Sequence, residues 1–455
     1  MNKPRLDSNH YALTFKDMKS DTALAQLFQR VSTNEDASRF IKYNKWLESF
    51  HLKNTITEQV DLRRIKVNGL QKINFSSCSY LGLELHHEVI QAAQQALQKW
   101  GNHAGSSRIF STQENLVQLE NEIAQYVGAE SALVGINVSQ IHQGTIPALF
   151  SGKDCAIFID RHAHTSMYQA SLIAKAKGAE IVRVDTTQAL EKLKKSLMSQ
   201  SRKTKVLLVD GVYSMQGTIP AFLELEKICL ETDTVLYVDD AHGLGVVGAT
   251  GGGVRELFNL SFENLILVGG FQKAMGSYGA FVAAKKSMID LLRILNKAYI
   301  FSGPLQPQAV ESSRKAIQIS QSEEGIFRRY QLKKKTDTVR SALIAMGYQV
   351  GEVETPILPI FMGSDIKTLM AGRKLFDEGV YISSVLYPAV PKNEGILRLS
   401  LNAIHTDNDI ESLLTAFKNL KIYLDDKHSV FYQQVYEFTK EVIKSKILGK
   451  SYSGL

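Results

Sequence analysis

The sequence predicts an α/β fold, with a large domain built on a mostly parallel sheet and a smaller C-terminal α/β domain. Three observations predict it. Four short apolar runs without polar alternation, AIFID (156–160), KVLLVD (205–210), TVLYVDD (234–240) and NLILVGG (264–270), read as strands buried on both faces. The segments between them carry helical spacing, so runs and helices alternate as right-handed β-α-β units. A length of 455 residues exceeds what one core commonly organises, so two packed lobes are expected.

Taken in order, residues 1–55 are charged and polar with scattered aromatics (Phe28, Phe40, Trp46, Phe50) and read as helical arms. From Val60 to Phe75, β-branched alternation broken by Asn68–Gly69 predicts a hairpin, because Asn-Gly favours the tight two-residue turn. The loop SSCSYLGL then gives way to an amphipathic helix in EVIQAAQQAL, and LVQLENEIAQYVG predicts the next helix. After the four strand runs come a helix, a break over Phe301–Pro307 and another helix. Residues 320–422 suggest the second lobe, with a helix through RRYQLKKKTDTVRSALIAMG and strands around PILPIFMG and ILRLSLN. The tail from Asp425 reads as a basic amphipathic helix packed on the body rather than on a membrane. The expected divisions are an N-terminal extension and hairpin (1–71), a large cofactor-binding domain (72–310), a small domain (311–424) and a C-terminal helical extension (425–455).

Composition narrows the class. Lys and Arg number 53 against 46 Asp and Glu, and the net charge of +7 suits an anionic small ligand as well as a nonspecifically basic surface. No basic run is interleaved with aromatics, so nucleic acid is not an expected partner. Cys78, Cys155 and Cys229 lie far apart without a C-x-x-C pair, which argues against a disulfide framework or a structural zinc; no metal is expected, and a reducing, cytoplasmic setting is. The first residues are polar and no apolar run approaches bilayer length, so no transmembrane segment is expected.

Chemistry gathers at the ends of the four runs. In an open α/β sheet, ligands bind outside the carboxyl ends of the strands. His164 follows the first run, Ser214 the second, Asp239 and His242 close the third, and Lys273 follows the fourth in a turn rich in glycine (Gly269, Gly270, Gly276, Gly279). Each alone reads as an ordinary structural residue, and a lone lysine in such a turn is usually solvated. Their coincidence at equivalent strand ends predicts a site. A lysine able to form a Schiff base, with a carboxylate that keeps a pyridinium nitrogen protonated, is the pattern of pyridoxal phosphate chemistry; such a lysine is kept from water so that its free amine is populated.

The segment VDDAHGLGVVGATGGG, followed by the lysine turn, resembles the α-oxoamine synthase family of fold-type I pyridoxal phosphate enzymes, and the similarity runs over residues 72–422. It implies an acyltransferase that condenses an amino acid with an acyl-CoA, usually losing carbon dioxide, to give an α-aminoketone. On this resemblance Lys273, Asp239 and His164 are the catalytic group: the lysine carries the cofactor and acts as base, the aspartate holds the ring nitrogen, and the histidine stacks on the ring. His242 and Ser214 would bond the phenolic oxygen. Asn137, Val138 and Ser139 open the helix expected to receive the phosphate. Ser302 would lend a hydroxyl to a neighbouring subunit's phosphate, which implies a homodimer. Arg398, in GILRLSLNAIH, would grip the substrate carboxylate, since a planar fork with two parallel donors suits that group. Tyr80, Leu81, Gly82 and Leu83 match the family's N-D-Y-L-G-L loop, and Gly101, Gly105 and Arg108 echo its glycine-rich approach to the cofactor.

Three departures stand out. Cys78 occupies the position of a substrate-contacting Asn, where a thiol cannot donate an amide hydrogen bond; it reads equally as a small residue packed under the loop. Val138 and Ser139 replace a glycine and an aromatic residue. Gly270 stands where the family usually has a Thr or Ser that binds phosphate. GTIP, HTSMY and ILRLSLN lean toward the bacterial synthases of aminoketone and α-hydroxyketone signals. Two other readings remain at this point: a catalytically silent subunit of the same fold, against which Lys273, Asp239 and Arg398 all argue, and another pyridoxal phosphate reaction such as aminotransfer or aldol cleavage, against which VDDAHG and LRLSLNA argue.

Overall fold

The computed structural model describes residues 22–32, 55–61, 63–187 and 189–426. Of the expected N-terminal arms only helix Ala23–Ser32 falls among them, and the C-terminal helical extension lies outside the described residues beyond 426. The expected hairpin is present. After β1 (Thr57–Gln59), strands β2 (Arg64–Val67) and β3 (Leu70–Asn74) pair antiparallel, and Asn68 and Gly69 between them both take positive φ, at 49° and 79°. That is the left-handed geometry that makes Asn-Gly the preferred pair in a two-residue turn.

The large sheet comprises β4 (Ser131–Gly135), β5 (Cys155–Asp160), β6 (Glu180–Val184), β7 (Thr204–Asp210), β8 (Thr234–Asp239), β9 (Leu265–Gly270) and β10 (Ala280–Ala284), in the order β4-β10-β9-β8-β7-β5-β6. The four runs read from sequence are its middle, β9, β8, β7 and β5, all parallel. Their continuous hydrophobicity follows from burial on both faces: Leu207 and Val209 enter one core cluster, while Val206 and Leu208 on the same strand enter the other. Helices Thr165–Ala176, Leu190–Ser199, Phe222–Glu231 and Gly253–Phe258 carry the parallel crossovers. Strand β10 instead runs antiparallel to both β9 and β4. Its sequence AFVAA carries small residues and no turn pair, so pattern alone gave no reason to expect it.

Between β4 and the helices beside it, Glu120 is buried and accepts from Arg108 Nη1 (2.6 Å), Arg293 Nη2 (2.8 Å) and the amide of Val134 (2.9 Å). Arg108 thus ties a helix to the sheet. The C-terminal third adds β11 (Ile357–Gly363), β12 (Val380–Tyr381), β13 (Ser383–Val385) and β14 (Gly395–Ser400). Strands β11, β14 and β13 form an antiparallel sheet, and β12 pairs in parallel with β3, joining the early hairpin to this part of the chain. Helix Asp407–Asp425 opens on a capping box in which Thr406 and Asp409 satisfy each other's backbone amides. Arg63, from beside the hairpin, pairs with the same Asp409. No helix among the described residues is long and apolar enough to cross a membrane.

Candidate active site

The carboxyl ends of β7, β8 and β9 open on a cavity of about 350 Å³. Lys273, Asp239, His164, His242 and Asp210 line it, with Asn137, Val138 and Ser139 at the end where helix Val138–Leu149 begins. Lys273 lies in the turn that links β9 to β10, closed by Phe271 N to Gly279 O (3.0 Å) and Gly276 N to Lys273 O (3.1 Å). Gly276 has φ +57°, and a Cβ there would stand 2.5 Å from the amide nitrogen of Glu84. The lysine turn therefore lies backbone-to-backbone against the YLGL loop, which only glycine permits.

Electrostatics sets distinct states for these groups. Burial pulls the Lys273 amine below the usual lysine range against the opposing charge of Asp239, which favours the neutral nucleophile. Asp239 is buried, and burial pushes its carboxyl up, but His142, Lys273 and His164 pull it below the ordinary aspartate range. It stays anionic. Its Oδ2 lies 2.8 Å from His142 Nε2, its Oδ1 accepts from the amide of Ala241 (3.1 Å), and His142 Nδ1 lies 2.9 Å from the hydroxyl of Tyr237. Asp210 sits in register with Asp239 on the adjacent strand. Burial, reinforced by Asp239, raises its carboxyl, and its Oδ1 accepts from the amide of His164 (3.0 Å). Two carboxyls side by side are thus driven in opposite directions, Asp239 down and Asp210 up. Burial also lowers both His164 and His242, the latter strongly, so neither carries charge at neutral pH.

Beside this cavity, Arg398 on β14 is only 5% exposed. Its Nε donates to the carbonyl of Ser214 (2.6 Å) and its Nη1 to Ser400 Oγ (2.8 Å). Its Nη2 faces Tyr80 Oη (3.4 Å) and Cys78 Sγ (3.6 Å), and Tyr80 Oη lies 2.8 Å from His242 Nδ1. A chain of polar contacts therefore runs from the thiol and the guanidinium through a tyrosine to a histidine of the cavity. Asp240, next to Asp239, points away from it. It is 1% exposed, accepts from the amide of Val254 (2.7 Å), and is enclosed by Gly211, Gly243 and Gly253, where any side chain would collide with its carboxylate.

Of the residues expected from sequence, Lys273, Asp239, His164, His242, Val138 and Ser139 come together on the cavity, and Arg398 and Cys78 adjoin it. Ser214 does not line the cavity; it offers its backbone carbonyl to Arg398. Ser302 Oγ is bonded within its own chain, accepting from Gln140 Nε2 (2.5 Å) and donating to Ala298 O (2.7 Å). Arg108 belongs to the Glu120 cluster and not to the cavity. Sequence reading missed Asp210, His142, Gln272 and Tyr278. Only Asp210 left a signal, as the acid that ends KVLLVD just as Asp239 ends TVLYVD.

Residues 71–417 match the family described as Aminotransferase class I and II. The serine palmitoyltransferase of Sphingobacterium spiritivorum is 34% identical over 363 residues, which is 79% of this chain and 90% of the relative. The 8-amino-7-oxononanoate synthase of Thermoanaerobacter pseudethanolicus is 33% identical over 369 residues, 81% of this chain and 92% of the relative. Among solved structures, the serine palmitoyltransferase of Sphingomonas wittichii superposes with a TM-score of 0.79 at 25% identity, over 85% of this chain and 98% of that one. A serine palmitoyltransferase holding pyridoxal phosphate does so with a TM-score of 0.79 at 27% identity, over the same shares.

Proposed function

Because this chain belongs to the aminotransferase class I and II family, in its α-oxoamine synthase branch, we propose that it is a pyridoxal phosphate-dependent acyltransferase. It condenses an amino acid with an acyl-CoA, releases carbon dioxide and free coenzyme A, and yields an α-aminoketone. The observation that carries this reading is the buried amine of Lys273, its basicity lowered by burial, facing the same cavity as the carboxylate of Asp239 from the ends of adjacent parallel strands.

The donor set fits the cofactor: an amine held from water, a buried carboxylate that lines the cavity, two neutral imidazoles, and a helix start whose first amides have no intrahelical acceptor. When bound, pyridoxal phosphate supplies an electron sink for the pair left at the amino acid's α-carbon. In this reading Lys273 takes the α-proton, and its lowered basicity matches that task near neutral pH. Asp239 keeps a proton on the ring nitrogen, and His142 holds that carboxylate in place. His164 would cover one face of the ring, and His242 would serve the phenolic oxygen. The amides of Val138 and Ser139 receive the phosphate, and Ser302 completes that end across a homodimer. Arg398 and Cys78 meet the carboxylate end of the substrate. A cytoplasmic setting, and the division of the chain at 71, 310 and 424, belong to the same proposal. The complete set of Lys273, Asp239 and Arg398 speaks against a silent subunit, which has no use for the amine.

The test is direct. The purified protein should show visible absorbance from bound cofactor, and acyl-CoA plus a panel of amino acids should release free thiol and carbon dioxide together. Lys273→Ala should remove the visible band and the product. Condensed product formed by that variant at the wild-type rate would overturn the assignment.

A further inference from the structure

Two of the sequence's departures meet in space. Val138 opens helix Val138–Leu149, and Gly270 closes β9. A Cβ on Gly270 would stand 2.7 Å from Val138 Cγ2, while its next neighbours, Gln272 Oε1 and Ala241 Cβ, lie at 3.5 and 3.9 Å. Carbon atoms pack at about 3.5–4.0 Å, so Val138 alone forbids a side chain at 270. A valine in a helix keeps one χ1 rotamer almost exclusively, which leaves its methyl little room to swing aside. It is also packed against the core cluster that contains Val268 and Ile266 on the same strand. Conversely, a glycine at 138 would leave a void under Gly270. Each of the two residues explains the other.

The exchange changes what this end of the cavity offers a ligand. Asn137 Oδ1 is engaged by the amide of Gln140 (2.9 Å), and Asn137 O by the amide of Ile141 (3.1 Å). The donors at the helix start are the amides of Val138 and Ser139, the Ser139 hydroxyl and the Asn137 side-chain amide, and Gln272 lines the cavity just beyond β9. Strand β9 contributes a bare backbone and, across from it, a methyl group.

We propose that Val138 and Gly270 are a matched pair that sets how this site holds a phosphate monoester, with the grip coming from the helix start and a hydroxyl from β9 sterically excluded. This rests on the cofactor reading above. The pair makes the phosphate grip weaker than the same site would have with the two residues exchanged, so that bound pyridoxal phosphate leaves more readily.

The experiment is a double-mutant cycle with Gly270→Ser, Val138→Gly and the two combined. Two quantities are measured: the unfolding midpoint of the cofactor-stripped protein, and the dissociation constant for pyridoxal phosphate titrated into it. Each single change should lower the midpoint, and the combined variant should melt above both. Gly270→Ser alone should weaken cofactor binding. The combined variant should bind about tenfold tighter than wild type, the scale of one hydrogen bond to a charged group. Additive midpoints would overturn the matched pair. Coupled midpoints with unchanged affinity in the combined variant would overturn its role toward phosphate. Coupled midpoints with no binding of pyridoxal phosphate to any form, wild type included, would overturn the cofactor reading and leave the packing result standing. Should Gly270→Ser fail to fold alone, the comparison of wild type, Val138→Gly and the combined variant still decides: a combined variant that melts below Val138→Gly, or binds pyridoxal phosphate no tighter than wild type, would overturn the proposal.

Discussion

Replacing Asp240 with asparagine should remove a pH dependence of stability that the fold carries on one buried carboxyl. Burial, assisted by the neighbouring charge of Asp239, pushes Asp240 up from its ordinary 3.8 to about 8, against the amides of Val254 and Gly243 and the charge of Lys273. Its Oδ1 has no hydrogen-bond partner among the described residues. A group whose folded value lies above its unfolded one favours the folded state when protonated. That contribution is present in full below about pH 4 and is lost progressively as pH rises to about 8. Each pH unit inside the window costs up to about 1.4 kcal/mol. With an unfolding entropy of about 2.1 cal/mol/K per residue, a chain of this size converts that to roughly 1.5 °C per pH unit. The carboxamide introduced by Asp240→Asn would mimic the protonated carboxyl, accepting from Val254 through its carbonyl. The assay is the unfolding midpoint of the holoenzyme and of Asp240→Asn from pH 5 to pH 9. The variant should stand about 2 °C higher at pH 5 and about 5–6 °C higher by pH 8, so the gap widens by roughly 4 °C across the range. A difference that stays constant over that range would refute the reasoning, because it would mean the carboxyl is ionised throughout.

Three more perturbations follow from the site and its scaffold. His142→Leu should raise Asp239, since the imidazole is the foremost of the groups that hold its carboxyl down, so the acid limb of the kcat/KM profile should move to higher pH; His142→Asn, which keeps an N–H donor, should restore part of the shift, and superimposable profiles would count against a positioning role. Arg398→Lys should raise KM for the amino acid by about ten- to a hundredfold while leaving cofactor absorbance intact, because an ammonium cannot keep the bonds to Ser214 and Ser400 and also meet a carboxylate; a change confined to kcat would contradict it. Glu120→Ala should strand Arg108 and the amide of Val134 in the core and cost on the order of 3–5 kcal/mol in denaturant unfolding, with a loss below about 1 kcal/mol disproving the arrangement.

Much of this was legible in the residues for identifiable reasons. A strand buried on both faces must be continuously apolar, so β5, β7, β8 and β9 declared themselves, and the Asn-Gly pair fixed the hairpin. Acids and histidines that end such runs are where a parallel sheet puts its ligands, which is how Lys273, Asp239, His164 and His242 were found together. His142 was not visible, because nothing local marks a histidine in VSQIHQG; its partners Tyr237 and Asp239 are almost a hundred residues away and meet it only once the helix lies on the sheet. Ser214 was misleading for a related reason. Its position after β7 is as expected, but the bond it makes is from its main chain, which a pattern of side chains does not encode. The departures at 138 and 270 looked like two separate losses because their adjacency is a property of the folded sheet alone.

The contact between Arg398 and Ser214 has a mechanical meaning. The guanidinium stems from the C-terminal antiparallel sheet, and the carbonyl it holds belongs to the loop after β7 of the seven-stranded sheet. One side chain therefore rivets the two sheets together, and any displacement of the smaller sheet against the larger would have to stretch or break that single bond.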